Sequence, residues 1–209
     1  MRHSKDKMSI FPGGNMSDRP RSLKQYRRVD LVLWALMLLI FEAVILAASL
    51  RWFPGQPYTV SLVPAVTAIV LVRWGPWAAI HAVLGGIVLC AGSRASPVQY
   101  AVYVLGNCFS LLVLPALSRW RKEEGLWRES VKALTYGISV LLLMQAGRAL
   151  VSLVTGSGLE NVPGFFTTEV ITDLFTLVIL WIVRRLDGIL EDQRHYLRRL
   201  REQEKHTSV

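Results

Sequence analysis

The sequence predicts an all-α membrane protein with six transmembrane helices and with both termini in the cytoplasm. Of the 209 residues, 52% are hydrophobic, which is too apolar for a soluble domain of this length. The apolar residues lie in long runs, separated by loops that are charged or rich in Gly and Pro. Basic residues flank these runs. Together, these observations place the chain among the integral membrane proteins.

The net charge of +9 follows the predicted topology and does not indicate a nucleic-acid surface. Of the 24 lysines and arginines, 8 lie in residues 1–30, 5 in residues 119–132 and 7 in residues 184–209. With six spans these three segments share one side, and the loops of the other side carry only Arg51 and Arg94. By the positive-inside rule, the basic side is the cytoplasm.

The six predicted spans form a transmembrane domain over residues 29–186. They cover residues 30–52, 59–72, 76–91, 98–117, 131–154 and 165–183. The second and third spans are short, and the sequence RWGPW between them predicts a tight hairpin or a re-entrant pair. Gly85 and Gly86 in the third span are expected to permit a close approach of helices.

Both segments outside this domain are polar and basic. Residues 1–28 predict a disordered segment or one that lies on the membrane surface. They lack the short apolar run and small-residue cleavage site of a cleaved signal peptide. Residues 187–209 predict a charged cytoplasmic helix, which we interpret as a solvated or interfacial extension of the last span.

Polar residues inside the fifth and sixth spans are the main indication of a functional site. Gln145 and Arg148 share one helix face, as do Glu169 and Asp173, because residues three or four apart are neighbours on a helix. A charged group at the centre of a bilayer costs about 2.5–3.5 kcal/mol or more. A cation opposite two carboxylates at this depth is therefore a candidate site.

Two further spans contribute polar residues at comparable predicted depths. Tyr100, Tyr103 and Asn107 form one stripe on the fourth span, and Glu42 lies within the first. We predict an outward-facing pocket for a polar small molecule, and the excess of acids favours a cationic or zwitterionic one. The predicted substrate-binding residues are Glu42, Tyr100, Tyr103, Asn107, Gln145, Arg148, Glu169 and Asp173. The alternative is a structural ion-pair network in which Arg148 reaches toward the outer interface.

The remaining reactive residues are interpreted as packing residues. Cys90 and Cys108 lie in apolar segments, without a metal-ligand spacing or a disulfide framework. His81 is expected to be hydrogen-bonded in the core. HExxH, GxSxG and GxxxxGK[ST] motifs do not occur, so the sequence predicts a protein that is not an enzyme, with no cofactor and no metal.

The chain resembles the substrate-binding S components of energy-coupling factor (ECF) vitamin transporters over about residues 30–200. The resemblance rests on size, on six spans with cytoplasmic ends, on the Gly85-Gly86 segment, and on QYAVYVLGNCFSLL and RRLDGILEDQRHYLRRL. It implies an S-component-like bundle in the plasma membrane of a bacterium. Such a subunit captures a vitamin or a similar micronutrient from the outside.

The resemblance also implies partners: the lipid bilayer, a scaffold transmembrane subunit and two cytoplasmic ATPase subunits, with no nucleic acid. Docking in that family commonly uses small residues spaced by four on the first helix. Ala43 and Ala47 have this spacing but lie in the outer half, and the inner half has Ala35 with Leu39 instead. The motif is therefore incomplete or displaced, and ordinary helix packing is the alternative role for these alanines.

Two other classes of function compete with transport. A membrane sensor or scaffold would signal through the charged C-terminal helix. An intramembrane enzyme would need acid–base groups, and His81 and Glu42 supply them only at different predicted depths. Retention of a small molecule by the purified protein distinguishes the transport subunit from both.

Overall fold

The computed structural model describes residues 23–55, 60–120, 130–156, 158–186 and 188–207. These residues form helices and turns and contain no strand, which confirms the all-α class. The α-helices are α1 (Leu23–Trp52), α2 (Val63–Trp74), α3 (Ala79–Gly92), α4 (Pro97–Asn107), α5 (Leu114–Trp120), α6 (Ser130–Val154), α7 (Val162–Thr167), α8 (Val170–Val183) and α9 (Gln193–Thr207). Short 3-10 helices cover Gly75–Ala78, Cys108–Val113 and Leu159–Asn161.

Within the described residues, 5 helical segments are long and apolar enough to cross a membrane. They are Leu23–Trp52, Val63–Gly92, Pro97–Ser118, Val131–Val154 and Val162–Val183. The second segment folds back on itself, because the side chain of Val63 packs against Gly85. This packing is consistent with both predicted alternatives, a tight hairpin and a re-entrant pair, and the chain is compatible with a multi-pass membrane protein.

Helix α2 lies at the centre of the bundle. All 12 of its residues are buried, and it packs against α1, α3, α6 and α8. At 1.5 Å per residue it is about 18 Å long, shorter than the roughly 30 Å hydrocarbon core of a bilayer. Tyr136 of α6 donates a hydrogen bond of 2.7 Å to the carbonyl oxygen of Ala68 and fixes α6 against α2.

Outward-facing side chains of α1, such as Val32, Leu36, Ile40 and Val44, are exposed and apolar, as a lipid-facing surface requires.

Contacts between side chains establish the direction of the helices. Asp30, early in α1, meets Arg73 at the end of α2, whereas Glu42, later in α1, meets Leu62 at the start of α2. Helices α1 and α2 are therefore antiparallel. We call the end of the bundle that contains Arg73 the basic end. The opposite end, where α3 is followed by α4 and α6 is followed by α7, is called the distal end.

Arg73 is the centre of a buried hydrogen-bond network at the basic end. Its Nε and Nη2 atoms donate to the two carboxylate oxygens of Asp30 at 2.9 and 2.8 Å. Its Nη1 donates to the carbonyl oxygens of Gly188 and Ile189 at 2.8 and 3.2 Å. Trp74 adds a 2.5 Å bond from its indole N–H to Asp30. This network joins α1, α2 and the turn that precedes α9.

The structure changes the predicted boundaries at both ends of the chain. Helix α1 begins at Leu23, so the end of the segment predicted to be disordered is helical. The C-terminal helix is not a continuous extension of the last span, since turns interrupt the helix after α8. Gln193 starts α9 and is held by Tyr26 of α1, whose hydroxyl lies 3.4 Å from its Oε1 atom. The remainder of the predicted N-terminal segment lies outside the described residues.

Replacing Arg73 by Met should loosen the basic end. The variant leaves the Asp30 carboxylate without its cation and removes the bonds to Gly188 and Ile189, at a cost of about 3 kcal/mol. We expect a lower melting temperature in detergent and faster tryptic cleavage after Arg184 or Arg185. Arg51→Met, at an exposed arginine of the distal end, is the matched control. Unchanged melting and cleavage in Arg73→Met would show that this network does not secure the turn.

Candidate functional site

Two glycines bring α4 and α6 into backbone contact. A Cβ atom on Gly106 would lie 2.7 Å from both the Cα and the backbone N of Arg148. A Cβ atom on Gly147 would lie 2.5 Å from the carbonyl oxygen of Gly106. Neither position thus has room for a side chain, and the absence of Cβ atoms on the two glycines lets the helices approach closely. The crossing places Arg148 directly beside the end of α4.

Arg148 is buried, and its partners come from α4 and from the junction of α7 and α8. Its Nε donates to the Oδ1 atom of Asn107 at 2.8 Å, and its Nη1 forms an ion pair with the Oε2 atom of Glu169. The guanidinium carbon lies 4.8 Å from the ring centroid of Tyr103, so the cation also faces an aromatic ring. Asn107 is anchored in turn by a 3.3 Å bond to the carbonyl oxygen of Ala82 on α3. We call Tyr103, Asn107, Arg148 and Glu169 the arginine cluster.

A second polar contact lies one turn along the same two helices. Gln145 of α6 donates from Nε2 to the Oδ2 atom of Asp173 on α8 at 2.6 Å. The other carboxylate oxygen of Asp173 is buried and has no hydrogen-bond partner among the described residues. Arg148 and Asp173 are still within electrostatic reach of each other. The four polar residues predicted on α6 and on the last span are therefore brought together in two cross-helix pairs.

Glu42 lies on α1 beside the start of α2, outside the arginine cluster. It is fully buried, and its Oε2 atom accepts a 2.9 Å hydrogen bond from the backbone N–H of Leu62. The N–H groups at the start of a helix lack intrahelical partners, and a carboxylate there is also favoured by the helix dipole. Ser61 and Thr172 complete this arrangement, because the N–H of Ser61 donates to the Thr172 hydroxyl at 3.1 Å. Glu42 thus caps α2, the central helix.

A cavity of about 590 Å³ lies at the distal end, between the start of α4, the end of α6 and α7. Its polar lining consists of hydroxyl and amide side chains, and its apolar lining includes two aromatic rings. The lining residues are Ser96, Val98, Gln99, Val102, Tyr103, Ser152, Thr155, Gly156, Gly164, Phe165 and Thr168. Tyr103 belongs both to this cavity and to the arginine cluster. Its ring therefore separates the open volume from the buried cation.

The structure thus divides the predicted substrate-binding residues into different environments. Tyr103 lines the cavity, and the rest of the arginine cluster lies behind it. The Gln145–Asp173 pair and Glu42 are not part of the cavity lining. Tyr100 is half-buried on α4 and is also outside the lining. A role of these eight residues in substrate binding stays a prediction.

Sequence reasoning missed most of the residues that line the cavity. Ser96, Ser152, Thr155 and Thr168 are uncharged and lie near helix ends, where Ser and Thr are common for local reasons. Ser96 and Gln99, for example, form a capping box at the start of α4. The only signal in the sequence was that hydroxyl residues occur at three separate helix ends, which the predicted topology places on the same side of the membrane.

Several other sequence interpretations concern residues away from this cavity. His81 is buried and its Nε2 lies 3.1 Å from the carbonyl oxygen of Leu31, as expected for a packing residue. Gly86 would place a Cβ atom 3.1 Å from the backbone of Val104, which confirms the predicted close approach. Ala43 and Ala47 are exposed on α1, whereas Ala35 is half-buried.

Comparisons with protein families, with curated proteins and with solved structures give no match. Among the described residues, no group of three or more His, Cys, Asp or Glu side chains could hold a metal ion.

The ion pair of the arginine cluster should be energetically coupled. Arg148→Met leaves the Glu169 carboxylate buried without a cation, and we expect it to lower the free energy of unfolding by about 3–5 kcal/mol. Glu169→Gln should also lower the free energy of unfolding, because it leaves the Arg148 guanidinium buried without its carboxylate partner. The double variant should cost at least about 1 kcal/mol less than the sum of the two single variants. Thermal unfolding in a single detergent measures all four proteins, and additive effects would contradict a direct pair.

The α4–α6 crossing should not tolerate an added methyl group. Gly106→Ala forces the α4 and α6 backbones apart. We expect the free energy of unfolding to fall by about 1–3 kcal/mol, which is typical of overpacking. Gly164→Ala is the matched control, because a Cβ atom there meets no atom within 4 Å. The measurement is the melting temperature of each purified variant. Equal melting of Gly106→Ala and the unmodified protein would contradict the backbone contact.

Proposed function

We propose that this protein is a membrane-embedded substrate-binding subunit, the S component of an ECF-type transporter, which captures a vitamin-like small molecule from the outside. The observation that carries the proposal is the cavity of about 590 Å³ at the distal end. Binding cavities for small molecules commonly have volumes of about 300–1,000 Å³ and combine apolar walls with a few polar groups.

The distribution of arginines supports an orientation in which the basic end faces the cytoplasm. Arg27, Arg73, Arg184 and Arg185 lie at the basic end, and Arg27, Arg184 and Arg185 lie beside tryptophan rings at 4.5–5.6 Å. Tryptophans with neighbouring arginines are characteristic of the membrane interface. With the basic end in the cytoplasm, both described ends of the chain are cytoplasmic, six segments cross the bilayer, and the cavity opens to the outside.

Energy for uptake comes, in this proposal, from a scaffold transmembrane subunit and two ATPase subunits, because this sequence contains no GxxxxGK[ST] motif. The positions of Ala43 and Ala47 support the proposal that the scaffold subunit docks on α1. Both are exposed and lie four residues apart, so they form a shallow strip on one helix face. The function thus divides α1 between a core-facing side with Glu42 and a partner-facing side.

A membrane sensor or scaffold is the second candidate function. One observation favours it: Arg73 of the central helix binds the backbone just before α9. A change in the packing of α2 would therefore reach the C-terminal helix through a few hydrogen bonds. Co-purification with ATPase subunits favours transport, whereas loss of a cellular response on removal of α9, with uptake unchanged, favours the sensor.

The proposed function predicts that the full chain, purified in mild detergent, retains a small molecule in a one-to-one ratio. Native mass spectrometry measures the retention, and re-addition of the released molecule should raise the melting temperature. Absence of a retained molecule, together with no thermal shift by riboflavin, nicotinamide, biotin, pantothenate or thiamine, would contradict the proposal.

Docking can be tested separately from binding. Ala43→Trp and Ala47→Trp fill the strip on α1, and we expect each to abolish co-purification of the scaffold and ATPase subunits while the small molecule is retained. Phe41→Trp, at another exposed position of α1, is the control. Unchanged co-purification in both alanine variants would place the docking surface elsewhere.

A further inference from the structure

Among the described residues, every side chain that lines the cavity at the distal end is uncharged. A charged ligand would therefore lose water without gaining an ionic partner from the lining. Burial of an unpaired charge costs far more than burial of a neutral polar group. The lining thus disfavours the cationic or zwitterionic ligand that the excess of acids in the sequence suggested.

The buried cation of the arginine cluster is not free to compensate for this. Arg148 lies behind the Tyr103 ring, only 2% exposed, and already binds Glu169 and Asn107. A ligand carboxylate or phosphate that bound Arg148 would have to compete with the Glu169 carboxylate. The charges of the arginine cluster are balanced within the protein, so they leave no net attraction for an ion in the cavity.

Two hydroxyl groups of the cavity are available as acceptors. Thr155 donates its hydroxyl hydrogen to the carbonyl oxygen of Val151 at 2.9 Å, and Thr168 donates to Gly164 at 2.7 Å. Because a hydroxyl has one hydrogen and two lone pairs, both threonines can still accept from a ligand. Gln99 uses its carbonyl oxygen in the capping box, accepting from the N–H of Ser96 at 2.7 Å, so its NH₂ group can still donate.

The apolar part of the cavity suits a flat ring. Tyr103 and Phe165 meet edge to face, with centroids 6.4 Å apart and an interplanar angle of 74°. Val98 and Val102 line the same cavity from α4. Aromatic rings favour offset-stacked and edge-to-face contacts with one another, so these two rings favour a ligand with an aromatic ring.

We infer that the cavity binds an uncharged, flat heteroaromatic molecule that carries N–H or O–H donors toward Thr155 and Thr168 and an acceptor toward Gln99. The inference rests on the proposed function and specifies its substrate class. It assigns recognition to the hydroxyl and amide side chains at three helix ends, and it assigns Arg148 to the support of the cavity floor.

The test identifies the molecule that the full-length protein retains and then measures its affinity for two variants. Thr155→Val and Thr168→Val keep the side-chain shape and remove the acceptor, and each should weaken binding about tenfold, equivalent to about 1.4 kcal/mol. Thr135→Val is the matched control, because the Thr135 hydroxyl makes the same bond within its own helix, to Val131 at 2.8 Å, near the start of α6. Isothermal titration measures the affinities.

The outcomes separate this inference from the proposed function. A retained molecule with a carboxylate, phosphate or ammonium group would overturn the ligand class and leave the transport subunit in place. So would thermal shifts by biotin, pantothenate and thiamine without shifts by the neutral riboflavin and nicotinamide. A neutral ligand whose affinity is unchanged in both threonine variants would overturn the assigned contacts. Failure to retain or bind any small molecule would remove the proposed function, and the ligand class with it.

Discussion

A guanidinium group inside an apolar helix bundle requires polar partners. Arg148 therefore constrains how the helices that supply these partners pack against α6. Asn107 must come from α4, Glu169 from the break between α7 and α8, and Tyr103 from one turn earlier on α4. These partners can meet Arg148 only because Gly106 and Gly147 allow the α4 and α6 backbones to touch. Breaking a buried pair costs several kcal/mol, so the arrangement is stable once it has formed. The cavity lies next to this crossing, because Tyr103 belongs both to the arginine cluster and to the cavity lining.

Periodicity explains which parts of this arrangement could be predicted from the sequence. Gln145 and Arg148 were placed on one face of a helix and Glu169 and Asp173 on one face of the next, and the structure pairs them across the two helices. The two contacts lie one turn apart along the helices, because two antiparallel helices joined by a short loop keep such residues level with each other. Helix content and approximate spans followed from hydropathy and from Gly and Pro in the loops.

Other features could not be predicted because hydropathy does not report which neighbour a side chain faces. The hydrogen bond from the backbone N–H of Leu62 to Glu42 is one example, because only the packing of α2 against α1 brings these two residues together. The last span is interrupted between α7 and α8, which puts Thr168 in the cavity and Glu169 in the ion pair. Neutral hydroxyl residues at helix ends carry too little sequence signal to distinguish ligand contacts from local caps.

The complete burial of α2 has a consequence for the order of assembly. Its surface is as apolar as that of a lipid-facing helix, but it is too short to span the bilayer alone and touches protein on every side. It is therefore fully enclosed only when α6 and α8, which are synthesised later, pack against it. The bond between Ser61 and Thr172 joins residues 111 positions apart, so the central helix is among the first made and the last enclosed.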